Sequence, residues 1–269
     1  MRHVICAMLV IVATPAIARQ ASDRMTAAEE AAVQQALDRG ALMYAYDQAA
    51  WLGTDDLLAK DKSVASRSGG WIVDGPADAP ELTFIDKDAD HPHAIYVADF
   101  KEGSLVSSHV VAAGRGAELT PEQSRLVAAL RTARAAIIAA KPTMCSSAPF
   151  NTIVLPPRSP AEPALVYFLT PQTDSKAFPF GGHYLVPVNR DGSVGAIKPF
   201  AKSCAVISEE PDKQPAAMVI SHLLDPTPTE IHVFESLEAK MPVYVLTTQN
   251  QKIWSVEGGR IRLIDQSKK

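Results

Sequence analysis

Residues 68–111, SGGWIVDGPADAPELTFIDKDADHPHAIYVADFKEGSLVSSHVV, decide the fold class. Four short β-rich runs, Trp71 to Val73, Leu82 to Ile85, Ala94 to Phe100 and Leu105 to Val111, alternate with clusters of Gly, Pro and Asp. That spacing predicts antiparallel strands joined by turns. Upstream, Thr26 to about Ala59 reads as helix: Thr26 and Glu29 are spaced as a capping box, and Ala, Leu, Gln and Glu fill the turns. Val33, Leu37, Ala41, Tyr44, Gln48 and Trp51 fall at helical spacing, a stripe expected to cover a sheet. Gly40 and Gly53 weaken the run, so one helix or two consecutive helices fit it. Downstream, Thr120, Pro121 and Gln123 open a second helix that reaches about Ala140, with Pro142 as its stop.

The second half is again β-rich. Runs at Asn151 to Leu155 and Ala164 to Leu169 flank a proline-heavy connector from Pro156 to Pro163. Tyr184 to Val188, the turn Asn189, Arg190, Asp191, Gly192, and Val194 to Lys198 form a hairpin pattern, since Asp-Gly tolerates the positive φ of a tight turn. Glu230 to Phe234, Val243 to Thr247, Ile253 to Val256 and Arg260 to Ile264 continue the strand texture. Two β-rich sections, each preceded by a helix, suggest two lobes with a boundary near 141–160, but no residue-level repeat supports duplication. The expectation is one α+β unit over 19–269, antiparallel β-sheet with two main helices, 26–59 and 121–140, packed on it.

The N-terminus carries an address. Arg2 and His3, an apolar run from Val4 to Ala13, Thr14 and Pro15, then Ala16, Ile17, Ala18 have the three-part layout of a secretory signal cleaved after Ala18. The run is too short to span a bilayer, which needs ~20 apolar residues. No later segment is long and apolar enough to replace it, so the exported product has no transmembrane anchor and is expected in the periplasm or secreted. Cleavage removes Cys6 and leaves Cys145 and Cys204, 59 positions apart, an even pair that predicts one disulfide in an oxidising compartment. Lys plus Arg 26 against Asp plus Glu 30 gives −4, scattered along the chain without a basic stripe, which argues against nucleic acid as a partner.

Three places bear chemistry. Asp86, Asp88, Asp90, His91 and His93 crowd one loop between strands. Alternating aspartates resemble the opening of a calcium loop, yet His91 stands where that loop needs Gly and Val97 where it needs a bidentate Glu. Imidazole and carboxylate together suit zinc; the ordinary account is an acidic turn stiffened by Pro92. In Phe178, Pro179, Phe180, Gly181, Gly182, His183, Tyr184, paired glycines present His183 at the start of a strand, where it is a candidate general base or, more simply, a strand histidine beside a bulge. Asp47 shares a helix face with Tyr44 and Trp51, as a binding carboxylate of raised pKa or as a local hydrogen-bonding group among core aromatics.

Standard catalytic spacings are missing. Gly192, Ser193, Val194, Gly195 is one residue short of a nucleophile elbow, and Gly114, Arg115, Gly116 lacks the third glycine of a dinucleotide fingerprint. His109, His222 and His232 sit singly in apolar, strand-like runs. The sequence therefore favours a non-catalytic exported protein that binds an envelope ligand or protein and carries no cofactor. The alternative is an envelope hydrolase or a divalent-metal enzyme using His183 or the Asp86 to His93 cluster.

Overall fold

The computed structural model describes residues 24–112, 117–208 and 215–265; the signal sequence expected at 1–18 lies outside them. Helix α1 (Ala27–Lys60) opens with the full capping box, Thr26 Oγ1 accepting from Glu29 N–H at 3.2 Å and Glu29 Oε2 from Thr26 N–H at 2.8 Å. It is one unbroken helix of 34 residues. Its glycines are contact points: a Cβ on Gly40 would stand 2.5 Å from Val233 Cβ, and one on Gly53 would stand 2.1 Å from Leu82 Cδ2. The buried seam is Val33, Ala36, Gly40, Met43, Tyr46, Ala50, Gly53 and Leu57. This corrects the expected stripe. Small residues set the closest approach, so Ala41 and Trp51 turn outward, and Trp51 is 69 % exposed.

A short helix α2 (Lys62–Arg67) leads into β1 (Ser68–Asp74), β2 (Glu81–Asp86), β3 (His93–Lys101) and β4 (Ser104–Val110), an antiparallel meander in that order, with β5 (Ala117–Glu118) pairing the start of β3. Helix α3 (Pro121–Ala140) carries the second capping box, through Thr120 and Gln123. Its Leu126, Val127, Leu130 and Ala133 pack on a second sheet of β6 (Asn151–Leu155), β7 (Ala164–Leu169), β9 (Tyr184–Val188) and β10 (Lys198–Pro199). The expected hairpin is present, with Gly192 at φ 81°, but its return arm pairs through the Val188–Val194 bridge and β10 and forms no full strand. β8 (Ala177–Pro179) and β11 (Val206–Ser208) form a separate ribbon.

The third sheet is β12 (Met218–His222), β13 (Val243–Thr247), β14 (Lys252–Glu257) and β15 (Arg260–Leu263). β12 and β13 run parallel, joined through helix α4 (Glu230–Glu238). Glu230 to Phe234, expected as a strand, is the first half of that helix. The β-branched character of Ile231 and Val233 is overridden because Val233 seats against Gly40 and its neighbours bury on α1. The remaining strand pairs are antiparallel, and α1 and α4 pack on the sheets.

Cys145 and Cys204 are bonded, Cα atoms 5.3 Å apart, tying the segment after α3 to the loop that follows β10. A Cβ on Gly182 would stand 2.6 Å from Cys145 Sγ, so the glycine pair is where the staple lies against the backbone. No helix among the described residues is long and apolar enough to cross a membrane.

Candidate functional site

The outward turn of the α1 aromatics has a consequence: Tyr44, Asp47, Gln48 and Trp51 line one wall of an open groove of about 560 Å³. Phe234, Glu235 and Glu238 of α4, with Lys240 just beyond its end, form the facing wall. Asn151, Thr170, Gln172, Thr173 and Ser175 supply amides and hydroxyls along its end. The α1–α4 packing at Gly40 and Val233 thus sets Asp47 of α1 opposite Glu235 and Glu238 of α4.

Glu235 is the deepest of these, 3 % exposed. Among the described residues its carboxyl has no hydrogen-bond donor; His183 Nε2 stands 3.8 Å from Oε1. Thr83 Oγ1 is the sealed side-chain atom without a partner among those residues, so the Glu235 oxygens are reached from the groove. Burial, then the charges of Glu238 and Asp47, hold its carboxyl well above the usual carboxylate range. Asp47 is pushed from 3.8 to about 7 by burial and by Glu238. Burial also raises Glu238, although Gln48 Nε2 donates to it at 3.0 Å and Lys240 opposes the shift. Some surface of Asp47 remains open to solvent, but the surrounding protein is dense enough for desolvation to dominate. Three carboxyls whose ionised forms are disfavoured by burial, beside an exposed indole, form a site suited to a positive or hydrogen-bond-donating partner.

His183 lies behind this wall. It is 1 % exposed, Nδ1 accepts from Thr170 N–H at 3.2 Å, and Nε2 donates to Pro179 O at 2.6 Å. Burial lowers its pKa to about 4. A neutral imidazole with both nitrogens engaged braces the β7–β9 region and does not line the groove.

The Asp86 to His93 loop turns Asp86 Oδ1 and Asp88 Oδ1 onto its own backbone, while Asp86 Oδ2 stands 3.4 Å from His93 Nδ1. Asp86 Oδ1 accepts from Asp88 N–H and His93 N–H at 3.1 and 3.2 Å, and Asp88 Oδ1 from Asp90 N–H and His91 N–H at 2.9 Å each. Arg131 Nη2 donates to Asp88 O at 2.6 Å and fastens the loop to α3. These are Asx turns at a hairpin tip. Among the described residues no three His, Cys, Asp or Glu side chains are grouped to hold a metal ion.

No family model, curated protein or solved structure matches the chain. The site therefore stands on its own geometry. Sequence reading reached Asp47, Tyr44 and Trp51 but missed Glu235 and Glu238. Their signal was Pro228-Thr229-Glu230 as a helix start, after which Glu235 and Glu238 fall three apart on one face. It also missed the meeting of His222 and His232, whose rings are 4.8 Å apart edge to face.

Proposed function

We propose that this is an exported, non-catalytic binding protein whose α1–α4 groove takes a ligand bearing a protonated amine on an apolar body. The observation that supports it is the convergence of Asp47, Glu235 and Glu238 on one groove in which Lys240 is the sole formal cation among the lining residues. An incoming ammonium replaces the missing counter-charge, and each carboxyl it reaches returns to its ionised form. Trp51 and Tyr44 offer the apolar shelf that fixes the body of the ligand and add cation–π attraction. The export signal expected at 1–18 and the Cys145–Cys204 disulfide support an activity in the periplasm or outside the cell. A hydrolase built on His183 lacks access to substrate, since that side chain is sealed behind Pro179 and Thr170.

Calorimetric titration with phenethylamine, and with phenethyl alcohol as its neutral counterpart, tests the reading. The amine binds and releases protons as the groove carboxyls ionise; the alcohol binds at least tenfold more weakly, the scale of one charge-assisted hydrogen bond. Asp47→Asn and Glu235→Gln each weaken the amine and reduce the proton release. Equal affinity for amine and alcohol would sink the proposal.

A further inference from the structure

A second cavity, of about 90 Å³, lies at the opposite end of α4. Phe180, Lys202, Ser203, His222, Thr229 and His232 are among its lining residues. At about 10–15 Å³ for each water-sized group, it has room for the several oxygens of one small molecule.

His232 stands at the third position of α4 and is 4 % exposed. Its Nδ1 accepts from Thr229 N–H at 3.0 Å, which leaves the proton on Nε2. Among the described residues that Nε2–H has no acceptor, and it is not among the sealed unpartnered atoms, so it opens into the cavity. This is a buried donor with its acceptor missing. Ile231, one residue earlier, also lines the cavity, and its amide, in the first turn of α4, has no carbonyl a turn back to pair with and stands at the positive end of the helix dipole. Lys202, exposed at the mouth, is the formal charge of the lining. The neighbouring carboxylate, Asp225, is engaged on both oxygens, by His222 Nε2 at 3.0 Å and Lys198 Nζ at 2.9 Å. Donors face the cavity and the nearby acceptor is already taken.

We infer that this cavity binds a small oxyanion, a carboxylate or phosphate group, held by His232 Nε2–H, the Ile231 amide and Lys202. Glu230 does not oppose it: its Oε1 is turned to Tyr167 Oη at 2.8 Å and to Arg39. The site is independent of the acidic groove, which lies at the C-terminal half of the same helix.

Calorimetry on the exported, disulfide-bonded protein in chloride-free buffer tests it, with inorganic phosphate in one arm and acetate in the other. The arm that saturates identifies the ligand group. His232→Gln keeps an acceptor for the Thr229 amide, as glutamine does in a capping box, and removes the Nε2–H; Lys202→Gln alters an exposed residue without touching the fold. Each weakens the preferred anion about tenfold, while Asp47→Asn leaves it unchanged. Saturation by neither anion, or unaltered affinity in both His232→Gln and Lys202→Gln, overturns the inference.

Discussion

Asp47→Asn makes the protein more stable above neutral pH, and the size of the gain follows from the groove. In the unfolded chain the Asp47 carboxyl titrates near 3.8; in the folded protein burial and Glu238 carry it to about 7. Between those values the folded state holds a proton that the unfolded state has released. Folding stability therefore falls as pH rises from about 4 to about 7 and is flat for this group above that. At 1.36 kcal/mol per tenfold change in proton affinity the full displacement is worth ~4 kcal/mol, and water in the open groove screens it to ~2 kcal/mol. Asparagine fills the same volume and has no proton to lose. Urea unfolding of both proteins at intervals from pH 4 to pH 9 should give equal stability at the acid end. The variant should pull ahead through neutrality by ~2 kcal/mol and keep that lead. A difference that does not change with pH, or a wild type that is the more stable at pH 8, would refute the argument that Asp47 is crowded out of its charge. Phenethylamine at pH 8 should raise the wild-type midpoint more than that of the variant, because the ammonium relieves the same strain.

Three further outcomes follow from packing, pairing and the staple. Gly53→Ala costs about 1–3 kcal/mol where Leu82 is intact, but in a Leu82→Ala background it becomes stabilising by ~1 kcal/mol, because the obstructing Cδ2 is gone and helix propensity remains; the double-mutant cycle in urea reads the change of sign. Lys252→Met leaves Glu29 buried without the ammonium that stands 2.7 Å from Oε2, and should lose about 3–5 kcal/mol in the same assay; retained stability would mean that Asn250 and the Thr26 cap suffice. Reduction, or Cys145→Ser with Cys204→Ser, opens a loop of 59 residues and should lower stability by up to ~4 kcal/mol, measured as a shift of the thermal midpoint between oxidised and reduced samples.

What could be read in the sequence was whatever local chemistry alone specifies. Thr26 with Glu29 and Thr120 with Gln123 start helices by hydrogen bonds that span three residues, and both stand where the spacing puts them. The meander from Trp71 to Val110 and the Asp191-Gly192 turn are equally local, and the Cys145–Cys204 pair follows from cysteine count once Cys6 is assigned to the expected signal. The misreadings of α4 and of the α1 face came from partners distant in sequence. Ile231 and Val233 favour strand on their own, and the surface of α1 with Gly40 at its centre makes them helical. The α1 face was judged by side-chain size, which rotated it toward Trp51, whereas the close approaches at Gly40 and Gly53 put the small residues inside. The site shared that fate. Asp47 is marked in the sequence by its aromatic neighbours, but Glu235 and Glu238 lie about 190 residues away and join it through the crossing of two helices. His183 was legible as a candidate base or as a strand histidine beside a bulge, and the sequence does not show that the Thr170 amide and the Pro179 carbonyl occupy both its nitrogens.

Phe178 and Pro179 of β8 face the acidic groove, and Phe180, the next residue, faces the small cavity at the other end of α4. Two chambers of opposite chemical taste thus draw linings from successive residues of one segment, braced by the buried imidazole of His183 and held at Gly182 against the staple. Enlarging either chamber means moving that shared segment into the other. A lineage that adapts one of them to a bulkier guest remodels its neighbour in the same stroke, so the two linings are expected to drift together and not one at a time.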